Sequence, residues 1–170
     1  VYPSMNTTYR KEADGHIQVI PHDVNLGLAI DIERRGKRTL LVPNIKAANN
    51  LNFAQLLGAY NDIVRRARDN KLSIDDFSRT SATLTNPGMI GTNLSVPRLM
   101  PGQGVIVGVG SIGYPTEYYA VPPEMISQTG ISQVMTITST YDHRVIQGAE
   151  SGAFLAHIDS QFAMVDAVAV

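Results

Sequence analysis

Apolar residues in the first fifty positions come in short runs, Ile17 to Ile20, Val24 to Ile30 and Leu40 to Ile45, each closed by turn formers. Runs of this length predict strands, because a helix needs a longer periodic stretch. Between the second and third stands Glu33-Arg34-Arg35-Gly36-Lys37-Arg38. Its charges demand water and its glycine tolerates positive φ, which predicts an exposed hairpin tip. A phosphate clamp for a nucleotide-bearing ligand is the alternative use of so basic a cluster, but a solvated turn is simpler and the segment forms no part of the candidate site.

The period changes at Phe53. Phe53, Leu56, Leu57, Tyr60, Ile63, Val64 and Ala67 recur every three or four residues behind Asn52, a good N-cap. This predicts an amphipathic helix whose apolar stripe packs on the sheet, with Arg65, Arg66, Arg68 and Asp69 on a solvated face. Ser73 predicts a short capped turn through Asp76 and Phe77, its hydroxyl accepting from the amides that follow. A β-branched strand is predicted over Thr80 to Thr85, ended by Asn86-Pro87-Gly88, with further strands over Gly104 to Val109 and Val134 to Thr140. In the last of these Met135 and Ile137 alternate with Thr136, Thr138 and Thr140, so one face is core and the other polar. From Gly148 the chain turns helical, with Phe154, Leu155, Ile158 and Phe162 along one side. No repeat or low-complexity segment interrupts the pattern.

Composition narrows the class. A chain of 170 residues makes one domain with a sizeable core. With 17% charged and 44% hydrophobic residues it is too apolar for disorder, and no apolar run reaches the roughly twenty residues of a membrane span. A net charge of -1 lacks the basic footprint of a nucleic-acid binder. The absence of cysteine excludes disulfides, thiolate nucleophiles and zinc-thiolate sites. Val1 stands inside what reads as folded sequence, with no export signal, and the chain is expected to be a piece of a longer cytoplasmic polypeptide.

Gly108-Val109-Gly110-Ser111-Ile112-Gly113 matches the dinucleotide-binding pattern, but Tyr114-Pro115-Thr116-Glu117 follows in place of a helix that could hold a pyrophosphate. These glycines are expected to serve a bulge or close strand packing. Ser111 sits in no Gly-x-Ser-x-Gly elbow. His16, His22 and His157 have no ligand-like spacing and are expected on loop, strand and helix surfaces, so no metal site is expected. His143 differs, because Tyr141-Asp142-His143-Arg144-Val145-Ile146-Gln147-Gly148 places it where a polar-faced strand ends and a helix begins, the position at which loops assemble active sites.

Residues 141 to 155, Tyr-Asp-His-Arg-Val-Ile-Gln-Gly-Ala-Glu-Ser-Gly-Ala-Phe-Leu, closely resemble the signature of the dihydrolipoamide acyltransferases of 2-oxoacid dehydrogenase complexes. Met5 to Tyr9, Asn25 to Ile30, Leu41 to Ile45, Thr83 to Gly88 and Gly104 to Gly110 follow in that family's order, so the resemblance covers nearly the whole chain. It implies a two-layer α/β sandwich of the chloramphenicol acetyltransferase type, a mixed sheet with packed helices. The family motif reads His-Arg-x-x-Asp-Gly, and Gln147 replaces its Asp here. In this respect the chain resembles the succinyltransferase-like domain of the multifunctional 2-oxoglutarate enzymes of actinobacteria. There such a domain precedes a thiamine-diphosphate- and Mg-dependent 2-oxoglutarate decarboxylase/dehydrogenase on one polypeptide and has no lipoyl domain of its own. The family's catalytic domain also begins before the position of Val1, so the chain looks truncated at its N-terminal side.

The resemblance implies succinyl transfer between dihydrolipoamide and coenzyme A, the lipoyl group being supplied by the lipoyl domain of a separate acyltransferase. His143 matches the family's general base. Thr85 matches the hydroxyl that stabilises the oxyanion, and the resemblance further implies a trimer in which these two groups come from neighbouring protomers. Gln147 can hydrogen-bond but not ion-pair, and is expected to organise the loop in place of the family's carboxylate while leaving His143 as base. Two other readings compete. The domain could be a catalytically inactive trimerisation scaffold for the fused enzyme, or an antibiotic acetyltransferase, which carries a His-His pair where Asp142-His143 stands here.

Overall fold

The computed structural model describes residues 1–15, 17–20 and 23–166. In chain order these form strands β1 (Thr8–Lys11), β2 (Ile17–Ile20), β3 (Leu26–Leu28), β4 (Ile30–Arg34), β5 (Lys37–Leu41) and β6 (Asn44–Ile45), then helix α1 (Phe53–Arg68). After it come β7 (Ala82–Thr85), β8 (Val105–Val109), α2 (Pro123–Thr129), β9 (Ile137–Tyr141) and α3 (Gly148–Asp166). One mixed sheet runs in the order β6-β3-β7-β8-β9, with β3, β7 and β8 parallel and β6 and β9 antiparallel to their neighbours. The pairs β1-β2 and β4-β5 are separate hairpins.

Register decides what each face carries. Ile45, Leu26, Ala82, Val105 and Tyr141 lie abreast, and side chains abreast share a face. On this face buried Leu28 and Ile45 pack with Ile63 of α1, and buried Val105 packs with Met5 and Ile146, with Phe154 of α3 against them. Both long helices therefore cover one side of the sheet, which is the two-layer sandwich the sequence predicts. The other side presents Gly27, Thr83, Thr85, Ile106, Gly108, Thr138 and Thr140. Backbone comes close here: a Cβ on Gly27 would lie 2.6 Å from Thr83 Oγ1. The alternation predicted around β9 is present, but its polar face is covered too, Thr138 Oγ1 donating to Ser95 O at 2.6 Å.

Local chemistry explains the boundaries. The run Val24 to Ile30 divides at Ala29, Leu26–Leu28 joining the sheet and Ile30–Arg34 the β4-β5 hairpin. The run Leu40 to Ile45 divides at Val42-Pro43, since proline has no N–H to give a ladder. Arg35 (φ 50°) and Gly36 (φ 74°) connect Arg34 to Lys37 as a two-residue turn of the type that matches strand twist. Asn52 and Gln55 close a reciprocal capping box on α1. The apolar stripe of α1 is covered only in part: Ile63 and Ala67 are buried, but Phe53 is 79% exposed, with Leu57 and Tyr60 also exposed. The edge strand β6 is two residues long, so the sheet ends before it can cover the first turns of the helix.

Two further expectations are corrected. Arg66 belongs to a network, not to a solvated face: it donates to Asp62 at 2.7 Å and to both oxygens of Asp76 at 2.8 Å. The Ser73 turn is capped in the opposite sense, Ser73 N–H and O–H donating to the Asp76 carboxylate, because an anion held by Arg66 is the stronger acceptor. The glycine-rich segment packs closely, as expected: a Cβ on Gly110 would lie 2.1 Å from Asn93 O, and one on Gly88 would lie 2.3 Å from the Gly110 backbone. The first helical element after it is a short 3-10 turn, Thr116–Tyr118. His157 lies half-buried on α3 with its ring 5.6 Å from that of Tyr2. His16 and His22 lie outside the described residues.

Candidate active site

Strand β9 runs back along β8 and delivers the chain to a tight turn. Asp142 N–H donates to Gly104 O at 3.0 Å, and the amides of Val145 and Ile146 both close on Asp142 O. His143 stands at the tip of this turn, exposed, with its ring 5.4 Å from that of Tyr141. Beneath it Asp142 is buried, its side chain 9% exposed. It accepts from Arg144 Nε at 2.8 Å, from Arg144 Nη2 at 2.6 Å and from the Arg144 amide at 3.1 Å. Arg144, bound in this two-pronged way, holds the Asp142 carboxyl below its ordinary value of 3.8 although burial pushes it up. The guanidinium carbon lies over the ring of Tyr9 of β1, 3.9 Å from its centroid.

The far end of the turn is fixed by a second carboxylate. Glu150 accepts the Gln147 N–H at 2.8 Å, while Gln147 O accepts the amides of Glu150 and Ser151 and so opens α3. That amide, together with the Ser4 side chain, holds the Glu150 carboxyl below its ordinary range. Ile146, fully buried, packs in a cluster with Met5 and Val105. His143 and Gln147 therefore share one loop.

Thr85 lies elsewhere in the chain. It ends β7 level with Gly108, which is level with Thr138, whereas the His143 turn leaves β9 beyond Tyr141, level with Val105 and Ala82. Tyr141 is already about 10 Å along the strand direction from Thr85, and two strand spacings of about 4.8 Å separate β7 from β9. Because β9 is antiparallel, the two groups sit at opposite ends of the same sheet. Around the Thr85 end the surface is apolar, with Met89, Ile90, Leu94 and Val96 exposed.

A cavity of about 910 Å³ opens beside Tyr9, walled in part by Arg10, Asn25, Lys46 and Arg79. Asn25 shapes it: its amide donates to Arg79 O and its carbonyl accepts from Ala47 N, tying together two residues in left-handed conformations, at φ 57° and φ 46°. No group of three or more His, Cys, Asp or Glu that could hold a metal is present among the described residues. Arg144, Tyr9, Ser4 and Glu150 escape a reading of the sequence. The Asp-x-Arg spacing around His143 is visible there, but its partners are more than a hundred positions away, and no local pattern announces such a contact.

Comparison with known proteins agrees with this architecture. The model of the 2-oxoacid dehydrogenases acyltransferase family, catalytic domain, matches residues 1–168. A multifunctional 2-oxoglutarate metabolism enzyme of Mycolicibacterium vanbaalenii is 53% identical over 159 residues, which is 92% of this chain and 13% of that protein. The chain thus spans about an eighth of the length of that relative. Among solved structures, a probable dihydrolipoamide acetyltransferase of Listeria monocytogenes superposes with a TM-score of 0.71 at 26% identity, over 94% of this chain and 62% of that one. A truncated catalytic core of the 2-oxoacid dehydrogenase multienzyme complex from Thermoplasma acidophilum gives 0.71 at 27% identity, over 94% and 65%.

Proposed function

Because the chain belongs to the 2-oxoacid dehydrogenase acyltransferase family, as its catalytic domain, we propose that it transfers a succinyl group between dihydrolipoamide and coenzyme A. The observation that carries this reading is His143 itself, an exposed imidazole on a braced turn. The identity to a 2-oxoglutarate metabolism enzyme supports succinyl as the acyl group. A free thiol with a pKa of about 8.5 is mostly protonated at neutral pH, and only its thiolate attacks well. His143 takes the proton of the coenzyme A thiol. The thiolate sulfur then bonds to the thioester carbonyl carbon, and the carbonyl electron pair moves onto oxygen. Collapse of this intermediate breaks the bond to the lipoyl sulfur, which leaves with the proton returned by the imidazolium, so that dihydrolipoamide and succinyl-coenzyme A result.

The tetrahedral oxyanion needs a donor, and the Thr85 hydroxyl is assigned that role. Thr85 and His143 of one chain lie at opposite ends of the sheet, which supports a trimer in which one protomer's His143 works with its neighbour's Thr85. The apolar surface around Met89, Ile90 and Leu94 supports such packing. Gln147 organises the loop through its place at the start of α3. Arg10 and Arg79, both exposed at the cavity, match the phosphate charge that coenzyme A carries. The lipoyl domain comes from a separate protein, and thiamine diphosphate with its Mg belongs to a decarboxylase/dehydrogenase fused to or associated with this domain; none of this chain's chemistry passes through it.

The test is succinyl-coenzyme A formation by the full-length parent, with a succinyl-dihydrolipoyl domain supplied. His143→Ala abolishes transfer, and Thr85→Ala slows it about a hundredfold, as for one lost oxyanion donor worth about 3 kcal/mol. Thermal melting separates lost chemistry from lost folding. Wild-type turnover by a folded His143→Ala variant would leave the scaffold reading in its place.

A further inference from the structure

The exposed His143 imidazole meets the Tyr141 ring at 5.4 Å, a loose contact, yet a base must stand within a fraction of an ångström of its working position. What fixes His143 beyond that contact acts through the turn, and besides its ties to Gly104 and Val105 the turn's long-range contacts lead to one short segment. Arg144 lies on the Tyr9 ring at 3.9 Å. Ile146 packs against Met5. Glu150 holds the Gln147 amide, and the neighbouring Ser4 side chain helps keep its carboxyl low. Residues 4–9 thus meet the segment that follows the histidine at Arg144, Ile146 and Glu150.

We propose that Tyr9 and Arg144 are positioning residues for His143, and that residues 4–9 form the platform on which the base is held; this deepens the acyl-transfer reading and rests on it. The arrangement depends on geometry that only these side-chain types provide. The Arg144 fork spans His143 to reach Asp142 with two nitrogens, while its flat face remains free to stack on Tyr9. A lysine ammonium can do neither. The family's motif carries a carboxylate where Gln147 stands. In this chain the carboxylates that brace the loop are Asp142 and Glu150, one at each end, and both lead back to residues 4–9.

The variants Tyr9→Leu, Tyr9→Phe and Arg144→Lys, made in the full-length parent, decide the matter. Tyr9→Leu and Arg144→Lys each lower kcat by about tenfold or more, and Arg144→Lys, at a position outside the wall of the Arg10–Arg79 cavity that Tyr9 lines, leaves KM for coenzyme A within about twofold. Tyr9→Phe keeps the ring and recovers the turnover that Tyr9→Leu loses. The double variant Tyr9→Leu/Arg144→Lys is no slower than the worse single one, since both break the same contact. Hydrogen exchange at the Val145 and Ile146 amides quickens in both single variants. A role in stability alone would lower the melting temperature while leaving the kcat of folded protein unchanged, and that result overturns the proposal. Should Tyr9→Leu fail to fold, Arg144→Lys carries the same readouts. Loss of activity in His143→Ala with unchanged kcat in Tyr9→Leu and Arg144→Lys refutes the platform and leaves the base intact. Unchanged activity in His143→Ala refutes the acyl-transfer reading itself.

Discussion

Asp142 shows how a single side chain carries both stability and geometry. Its carboxyl is held below the ordinary aspartate value chiefly by the Arg144 hydrogen bonds, against the effect of burial. A carboxyl depressed in the folded state binds its proton more weakly there than in the unfolded chain, so the stabilisation is complete above the ordinary value and is lost as pH falls through the folded one. The melting temperature is therefore expected to fall as the pH drops below about 4. Asp142→Asn, which has no charge to lose, should start lower and decline less steeply, as thermal melts at stepped pH will show. The placement of His143 between the end of a strand and the start of a helix was legible from the motif around it. The contact between Tyr9 and Arg144 was not, because it spans most of the length of the chain and leaves no trace in local periodicity.

At the scale of elements, propensity and period carried most of the reading. The capping box at Asn52 and Gln55 was visible as an N-cap ahead of a three-to-four repeat, and Asn52→Ala is expected to cost about 1 kcal/mol, read as a lower melting temperature. The β4-β5 turn was visible from Gly36 and its charged neighbours. What failed was any statement about how far an element is covered. Phe53, Leu57 and Tyr60 obey the helical repeat as well as Ile63 does, yet they face outward because β6 ends after two residues. Periodicity tells which residues share a side of a helix but not how wide the opposing surface is. The Ser73 turn failed for another reason: the direction of its hydrogen bonds depends on Asp76, a carboxylate that Arg66 in the next element back helps keep ionised.

For the whole molecule the decisive feature is strand direction. Three parallel strands place Thr85 at one end of the sheet, and the antiparallel β9 returns the chain to the other end before His143. If the two act on one substrate, they do so from different copies. Mixing His143→Ala and Thr85→Ala subunits then raises activity well above that of either variant alone. Every cyclic trimer that holds both variants has one intact pair among its three sites, so co-expressed variants purified through both tags should recover roughly a third of wild-type turnover. Recovery of none would place both groups in a single protomer's site.

The reversal of β9 also bears on what a lone chain is able to do. Thioesters hydrolyse, and a solitary protein presenting both a base and an oxyanion donor would waste them on water. A newly made copy exposes the imidazole at one end and the hydroxyl at the other, too far apart to act together on one carbonyl. Under the proposed transfer each end of the sheet holds half a site until a neighbour arrives, and the topology of one strand would then keep unassembled protein from spending acyl groups on water.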